Sequence, residues 1–515
     1  MNKFSRIRSS LGRWFAVPWY PLAFSLYPGL ALLSENIGQA QADAGMRILP
    51  ASLAFGALLY IVFWIILRQV HRAAFLATLW MTLFFTYGHI HNLLADKYPD
   101  FNPTPWLLPG WIALLLAAIR WATRPKLGFA SAAAGLNVIT LGLLVMSVGQ
   151  VLLKSPTVES GHRVAAAFAP IQELNPPEGQ PLPDVYYFIL DSYTRADLLE
   201  SAYGYDNRAF LSALEERGFY VAGCSQSNYT RTEISLGSSL NMLYLQDLDP
   251  LFNPKNIGRT RLWDSLQHSA VRYNFESLGY QTVNFATGYP WNELRDAHLF
   301  YSPPPFASGL TEFEGLFLRT TLARHAEDLG WVDVDAVMAQ EFRDRFNNVF
   351  DRIDDLSRNP APTFAYIHVI SPHPPFVFGP DGQPTDPAAF WNEKRVYPAA
   401  LYAQGYQNQL THLNAKMLAA IDILLANSDT PPIIILQGDH GPWLQPKSKQ
   451  MRILNAYYLP GHADTLYPDI TPVNSFRLVF SLYFGGDYPL LEDVSYYSPV
   501  PELYDFSEIP NDCEK

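Results

Sequence analysis

The first 153 residues contain five apolar runs, each close to the length of about 20 residues that a helix needs to cross a bilayer. We predict membrane spans at 14–33, 48–68, 73–94, 105–122 and 128–153. The first run is not followed by a clear small-residue cleavage site, and four further spans come after it. We therefore interpret it as a span and not as a signal peptide.

The basic residues around these runs predict an orientation. Nine of them precede the first span or lie at the connections after the second and fourth spans: Lys3, Arg6, Arg8, Arg13, Arg68, Arg72, Arg120, Arg124 and Lys126. The alternate connections hold only Arg47 and Lys97. Because lysine and arginine favour the cytoplasmic side, we predict a cytoplasmic N-terminus and place everything after residue 153 outside. His89 and His91, near the outer end of the third span, are interpreted as interfacial polar residues, with contact to a lipid head group as the alternative.

The rest of the chain has a different pattern. Residues 154–183 indicate a juxtamembrane helix followed by a proline-rich tether. From 184 to 515, short apolar runs alternate with segments of helical periodicity, which predicts a mostly parallel sheet covered by helices on both faces. The strands are predicted at 185–190, 281–286, 363–370 and 432–436. The chain is thus an α-helical membrane bundle (1–153), a linker (154–183) and an outer α/β domain (184–515).

Polar residues follow three of these strands. Asp191 follows the first, His373 the third, and Asp439 and His440 the fourth. Ligands bind beyond the carboxyl ends of parallel strands, and oxygen and nitrogen ligands suit Zn²⁺ or Mn²⁺. The alternative for Asp439 is a polar turn that caps the next element.

A threonine-containing segment precedes a predicted helix that begins near residue 232. Thr230 or Thr232 could be an ordinary N-cap, for which threonine is favoured. The alternative is a metal-activated hydroxyl that attacks a phosphoryl group. The only two cysteines, Cys224 and Cys513, exclude a cysteine-based zinc site, and whether they pair stays open.

These motifs together resemble the alkaline-phosphatase superfamily, especially its membrane-anchored phosphoethanolamine transferases and lipoteichoic acid synthases. LDSYTRAD…GY at 190–205 is similar to the family's E-T-x-R-A-D…G-Y, TEIS at 232–235 to its T-x-x-S, and GDHG at 438–441 to its D-H-G. The resemblance implies that Asp191, Thr232, Asp439 and His440 bind the metal. It further implies that Thr232 is the nucleophile, and that His373 in SPHPPF faces the substrate.

The chain also departs from those relatives. Asp191 stands where the lipid-modifying transferases usually have glutamate. No C/S-x-P-x-R sequence occurs, so the formylglycine of true sulfatases cannot form. No second histidine follows D-H-G within 20 residues; His368, His412 or His462 could substitute. His368 lies inside a predicted strand, and we interpret it as buried structure.

The expected function is a metal-dependent transferase or hydrolase of phosphate esters, acting on a lipid or envelope glycan outside a bacterial cytoplasmic membrane. Trp291, Trp391 and Trp443 would suit stacking on a sugar, although a packed core explains aromatic residues equally well. The net charge of −12 gives no indication of nucleic-acid binding. The alternatives are a sulfatase-like ester hydrolase and a non-catalytic membrane scaffold that keeps the fold.

The topology is testable with a reporter that is active only outside the cytoplasm. Fusions after residue 183 or at the C-terminus should be active, and fusions after Arg68 or Arg124 should be silent. Activity of the Arg124 fusion would contradict the five-span topology.

Overall fold

A computed structural model describes residues 17–36, 45–98, 100–124, 129–154, 172–179, 181–304, 310–386, 398–442, 444–500 and 502–513. The chain divides into two compact units. The first combines residues 1–155 with 309–338, and the second combines 156–308 with 339–515.

The first unit is a bundle of long apolar helices: α1 (Tyr20–Asn36), α2 (Ile48–Leu67), α3 (Val70–Lys97), α4 (Thr104–Ala122) and α5 (Ala130–Lys154). In the described residues, α2 to α5 are long and apolar enough to cross a membrane. Helix α1 has 17 residues and an internal proline, Pro28, so it is slightly shorter than a typical span. Residues 14–16 of the predicted first span lie outside the described residues. The second to fifth predicted spans thus match membrane-length helices, and the first predicted span stays a prediction.

The described chain contains twelve further α-helices, most of them shorter than those of the bundle: α6 (Ala196–Tyr203), α7 (Arg208–Glu216), α8 (Thr232–Ser239), α9 (Leu245–Leu248), α10 (Thr260–Gln267), α11 (Ala270–Ser277), α12 (Glu312–Arg319), α13 (His325–Asp328), α14 (Val334–Asp351), α15 (Ile353–Ser357), α16 (Ala399–Asn427) and α17 (Pro472–Tyr483). The strands are β1 (Val185–Leu190), β2 (Tyr220–Val221), β3 (Gln281–Phe285), β4 (Leu299–Tyr301), β5 (Thr363–Val369), β6 (Ile433–Gln437), β7 (Asn455–Tyr458), β8 (Ser495–Tyr497) and β9 (Ser507–Ile509).

The second unit contains a seven-stranded sheet in the order β2-β7-β6-β1-β5-β3-β4. Strands β6, β1, β5, β3 and β4 pair in parallel, whereas β7 pairs antiparallel with both β6 and β2. The sheet is therefore mixed, with the predicted parallel arrangement at its centre and two antiparallel strands at one edge.

The three central strands, β1, β5 and β6, are buried at every residue. This explains why they read as continuous apolar runs rather than as alternating patterns. On one face, Tyr187 of β1 packs with Phe476 of α17, and Phe275 of α11 stacks on Phe364 of β5. The sheet centre is thus a rigid support for the loops at its carboxyl edge.

Residues 310–338, here called the inserted segment, belong to the first unit, although the sequence indicated that they are part of the outer domain. A capping box of Thr311 and Glu314 begins α12, and Arg47 forms an ion pair with Glu314. A Cβ on Gly88 of α3 would lie 2.3 Å from the carbonyl oxygen of Arg319, so glycine permits this close approach. The predicted domain boundaries do not account for this return of the chain to the helical bundle.

Cys224 and Cys513 form a disulfide across a sequence separation of 289 residues. The Asn511 side chain also donates to the carbonyl oxygen of Cys224 at 2.8 Å. The bond ties the C-terminal end of the chain to the segment that precedes α8, and answers the question of pairing that the sequence left open.

We expect replacement of both cysteines by serine to lower the free energy of unfolding by about 2–5 kcal/mol, because the link restricts a very long loop in the unfolded chain. Thermal unfolding of the full chain in detergent, with and without reductant, measures this change. Reductant should lower the unfolding temperature of the wild type and leave that of the double variant unchanged. A wild type whose unfolding temperature does not change with reductant would contradict the expectation.

Candidate metal centre

Strand register brings Asp191 and Asp439 together. Ile189 of β1 pairs with Gln437 of β6, so continuing the parallel register by two residues places Asp191 beside Asp439. Both carboxylates are buried, with exposed fractions of 4% and 1%. The backbone N–H of Asp191 donates to the carbonyl oxygen of Val369 at 3.0 Å, which extends the pairing of β1 with β5 up to the site.

The turn after β1 holds one side of the Asp439 carboxylate. Ser192 has a φ of +64°, a left-handed conformation that is uncommon for a residue with a side chain. Its N–H donates to Asp439 Oδ1 at 2.9 Å, and the N–H of His440 donates to the same oxygen at 2.9 Å. A Cβ on Gly438 would lie 2.3 Å from the Tyr193 carbonyl oxygen, so glycine is required beside this turn. Asp439 Oδ2 remains without a hydrogen-bond partner.

His440 presents one ring nitrogen to these carboxylates. Its Nδ1 lies 2.7 Å from the carbonyl oxygen of Gly441, a hydrogen bond that places the proton on Nδ1 and leaves Nε2 able to bind a metal. Nε2 lies 3.5 Å from Asp439 Oδ2 and 3.8 Å from Asp191 Oδ1. The orientation is the one expected for a metal-binding histidine.

His368 is also part of this cluster, and its interpretation as buried structure was incomplete. Its Nε2 is buried without a hydrogen-bond partner and lies 3.5 Å from Asp191 Oδ2, while Nδ1 is hydrogen-bonded with the Asn292 amide. Potential ligand atoms of Asp191, His368 and Asp439 lie within 4.8 Å of one another. Its sequence signal was a lone histidine in a mostly apolar strand, opposite Ile189 in the register.

The other candidate residues have different surroundings. His412 packs against the rings of Phe346 and Phe378, and His462 packs against Tyr483. Trp291 is half-buried and adjoins Asn292, the residue that orients His368. Trp391 and Trp443 lie outside the described residues.

The loop after β5 holds His373 near the cluster. Its N–H donates to the carbonyl oxygen of Asp191 at 3.1 Å, and its ring centroid is 6.4 Å from that of His440. The buried Gln409 side chain of α16 donates to the His373 carbonyl oxygen at 3.0 Å and accepts from the Val377 N–H at 2.9 Å. His373 is half-buried, which suits a side chain that meets a substrate arriving from solvent.

Thr232 is the first residue of α8, as the sequence predicted, and its Oγ1 lies 3.3 Å from His440 Nε2. Next to it, the buried Glu233 pairs with Arg259 at 2.7 Å and accepts from the Trp263 indole at 3.2 Å. These contacts fix the beginning of α8 against α10. The hydroxyl of Thr230 is buried without a hydrogen-bond partner, so a role in stabilising a turn by hydrogen bonding is not supported.

The charges in the cluster favour a cation. Burial by itself raises the pKa of the Asp191 carboxyl, but the imidazoles of His373, His368 and His440 outweigh it and hold that pKa below its ordinary value. Burial lowers the pKa of His440, and the carboxylates of Asp439 and Asp191 outweigh it and raise that pKa above its ordinary value. The two carboxylates thus attract positive charge to one point.

The donor set fits a divalent ion. Two buried carboxylate oxygens, Asp191 Oδ1 and Asp439 Oδ2, and one imidazole nitrogen, His368 Nε2, have no hydrogen-bond partner in the protein, whereas most buried polar atoms are hydrogen-bonded. His440 Nε2 and Thr232 Oγ1 adjoin them. Oxygen and imidazole donors without thiolate suit Zn²⁺ or Mn²⁺. The structure brings all four predicted ligands together and adds His368, and their binding of a metal stays a prediction.

Three solved structures illustrate what the chain is similar to; no protein-family model and no curated protein matches it. The integral membrane protein lipooligosaccharide phosphoethanolamine transferase A from Neisseria meningitidis matches with 14% identity over 90% of this chain and 95% of that chain, at a TM-score of 0.41. The zinc complex of the C-terminal periplasmic domain of EcEptC from Escherichia coli matches with 12% identity over 67% of this chain and 97% of that chain, at a TM-score of 0.43. A protein in the alkaline phosphatase superfamily from Vibrio parahaemolyticus matches with 12% identity over 66% of this chain and 81% of that chain, at a TM-score of 0.39. These proteins are of the kind that the motifs resemble, and because no score reaches 0.5, the proposals below are based on the residues of this chain.

Asp439→Asn and His440→Ala should each weaken binding of zinc or manganese by about 100-fold or more, because a direct ligand matters at least as much as the residues that orient it. His368→Ala should weaken it as well. Metal content and titration of the purified full chain measure these changes.

Asp422→Asn is the matched control, because Asp422 is an exposed aspartate of the same unit that pairs with Arg217. It should bind metal as the wild type does. Unchanged metal binding in the Asp439 and His440 variants would remove both residues from the site.

Proposed function

We propose that the chain is a metal-dependent enzyme that transfers or hydrolyses phosphate esters through a covalent intermediate on Thr232. The observation that carries this proposal is the position of the Thr232 hydroxyl, 3.3 Å from His440 Nε2, beside two buried carboxylates with unpartnered oxygens. A hydroxyl at this place can serve both as a metal ligand and as a nucleophile. Zn²⁺ and Mn²⁺ remain alternatives for the ion.

The reaction proceeds in two displacements. In the first, Thr232 Oγ1 forms a bond to phosphorus while the bond from phosphorus to the leaving oxygen breaks, and the hydroxyl proton passes to solvent. His373 contacts the phosphate and donates a proton to the leaving oxygen. In the second, an alcohol or a water molecule gives its proton to His373 and forms a bond to phosphorus while the bond from phosphorus to Thr232 Oγ1 breaks, and Thr232 regains its hydroxyl proton from solvent. An alcohol acceptor gives a transferase, and water gives a hydrolase.

The residues around the nucleophile support this order of events. The beginning of α8 places backbone N–H groups and the positive end of the helix dipole beside the attacking oxygen, where they stabilise an anion. A bound Zn²⁺ or Mn²⁺ would supply Lewis-acid chemistry by lowering the pKa of the hydroxyl and by neutralising developing charge. The contacts of Glu233 with Arg259 and Trp263 keep α8 in position during turnover.

The substrate class follows from the membrane helices. Helices α2 to α5 are suited to a membrane, and we place the second unit on the outer side of a bacterial cytoplasmic membrane, as the basic residues predict. A phosphate ester of a lipid or of an envelope glycan is the substrate that such an anchored enzyme would meet. The half-buried Trp291 packs against the hydrophobic core of the second unit, and stacking of a sugar on its exposed part is an expectation from the sequence.

The two alternatives differ in measurable properties. A sulfatase-like enzyme would hydrolyse sulfate esters, although this chain lacks the C/S-x-P-x-R sequence from which formylglycine is made. A non-catalytic scaffold would bind no divalent metal and would show no dependence on Thr232. Metal analysis of the purified chain therefore separates the scaffold from either enzyme.

Thr232→Val should reduce turnover of a phosphodiester substrate by about 10⁴-fold or more, since it removes the attacking oxygen at nearly constant volume. Thr232→Ser should retain a substantial part of the activity, because it keeps a hydroxyl. When the wild-type protein is mixed with substrate and the reaction is quenched, mass spectrometry should find the phospho-adduct on Thr232 in a peptide that spans 225–242.

Thr230→Val is the matched control, because Thr230 lies two residues earlier and its hydroxyl has no hydrogen-bond partner. It should keep most of the activity. An adduct on Thr230, or full activity of Thr232→Val, would overturn the assignment of the nucleophile.

A further inference from the structure

The first unit contains a second cluster of polar side chains, at the end of α3 where the inserted segment packs. Arg324 Nη1 donates to the Asn92 side-chain oxygen at 2.6 Å, and the ring of His325 lies 5.0 Å from the ring of Tyr87. His91 Nε2 is hydrogen-bonded with Thr104 Oγ1 at 3.2 Å. The predicted topology puts this end of α3 at the outer surface of the membrane.

Three nitrogen atoms in this cluster are buried without hydrogen-bond partners. They are His91 Nδ1, Arg324 Nε and His325 Nε2. His91 is only 8% exposed, so solvent does not readily satisfy its ring. Because a buried polar nitrogen without a partner costs about 1–3 kcal/mol, three such atoms on neighbouring residues indicate a ligand. The Nε–H of Arg324 is always a donor, and the two imidazole nitrogens are donors in the imidazolium form.

The charge of the cluster is suited to an anion. Arg324 carries a permanent positive charge, and imidazole nitrogens donate when protonated. Asp328 accepts from His325 Nδ1 at 2.7 Å, so Nε2 donates to an anion only from the imidazolium form of the ring. The neighbouring acidic residues Glu327 and Asp335 are paired with Arg319, which reduces their repulsion of an anion at this cluster.

Large exposed apolar side chains lie close to this cluster in the sequence. Leu329 and Trp331 directly follow α13 and are 62% and 77% exposed. Trp106, two residues after the Thr104 that binds His91, is 74% exposed. Tryptophan is enriched where a membrane protein passes from the acyl chains to the head groups. These side chains place the polar cluster at the level of the lipid head groups.

We propose that His91, Arg324 and His325 bind the phosphate of a phospholipid head group in the outer leaflet, while Leu329 and Trp331 contact the adjoining acyl region. A phosphate offers several acceptor oxygens to the guanidinium and the two imidazoles, and such charge-assisted hydrogen bonds are the strong ones. The membrane-length helices beside the cluster make a lipid, and not a soluble phosphate, the ligand. The residues of this site are distinct from those of the metal centre, and lipid binding to them does not depend on catalysis.

Lipid binding by the full chain in detergent tests the proposal. The protein carries Thr232→Val so that no lipid is consumed, and it is titrated with phosphatidylglycerol, with diacylglycerol of the same acyl chains, and with inorganic phosphate. Native mass spectrometry counts bound lipid, and thermal unfolding measures stabilisation. Phosphatidylglycerol should bind and stabilise, and the other two should not.

Arg324→Gln should weaken phosphatidylglycerol binding by about tenfold or more, the loss expected for one charge-assisted hydrogen bond. Trp331→Ala should weaken it by a smaller factor. Arg120→Gln is the matched control, because Arg120 is an exposed arginine at the predicted cytoplasmic end of α4, and it should bind as the parent protein does.

Equal binding of phosphatidylglycerol and diacylglycerol, or unchanged binding in Arg324→Gln, would overturn the proposal. If inorganic phosphate binds with the same affinity as phosphatidylglycerol, the assignment of a lipid as the ligand is wrong. If Arg324→Gln unfolds earlier than the parent protein in the absence of lipid, His325→Gln and Trp331→Ala provide the same comparison, and unchanged binding in both would contradict the site.

Discussion

The burial of two carboxylates side by side is the constraint on which the rest of the site depends. Asp191 and Asp439 lie at the ends of neighbouring central strands, and each keeps one oxygen without a hydrogen-bond partner. Removing such charges from water costs several kcal/mol per ion unless opposite charge compensates. A divalent cation supplies that charge at one point, and the arrangement of the surrounding side chains is what such a cation requires.

The local structure around the carboxylates is organised to keep this geometry. The left-handed turn at Ser192 and the close approach at Gly438 direct two N–H groups to one oxygen of Asp439, which leaves the other oxygen for a ligand. His440 and His368 each have Nδ1 engaged, and their Nε2 atoms face the carboxylates. The candidate ligand side chains are therefore oriented by hydrogen bonds within the protein, and a metal would not need to organise them.

The sequence predicted the parts of this arrangement that are local. Asp191, Asp439 and His440 could be predicted because each lies within three residues of the end of an apolar strand, and Thr232 because it begins a helical pattern. His368 could not be assigned in the same way, since a histidine inside a buried strand has the same local pattern whether it packs or binds a metal. The inserted segment and the disulfide between Cys224 and Cys513 depend on contacts between distant parts of the chain, for which the local pattern carries no information.

The most direct test of the central claim is anomalous X-ray diffraction from crystals of the protein grown with zinc or manganese, with data on both sides of the absorption edge. The account predicts an anomalous peak about 2.0–2.2 Å from oxygen and nitrogen atoms of Asp191, Asp439 and at least one of His368 and His440. Crystals grown with the metal that show no anomalous peak at this position, and in which the free carboxylate oxygens are bonded to water or to other protein atoms, would contradict the account.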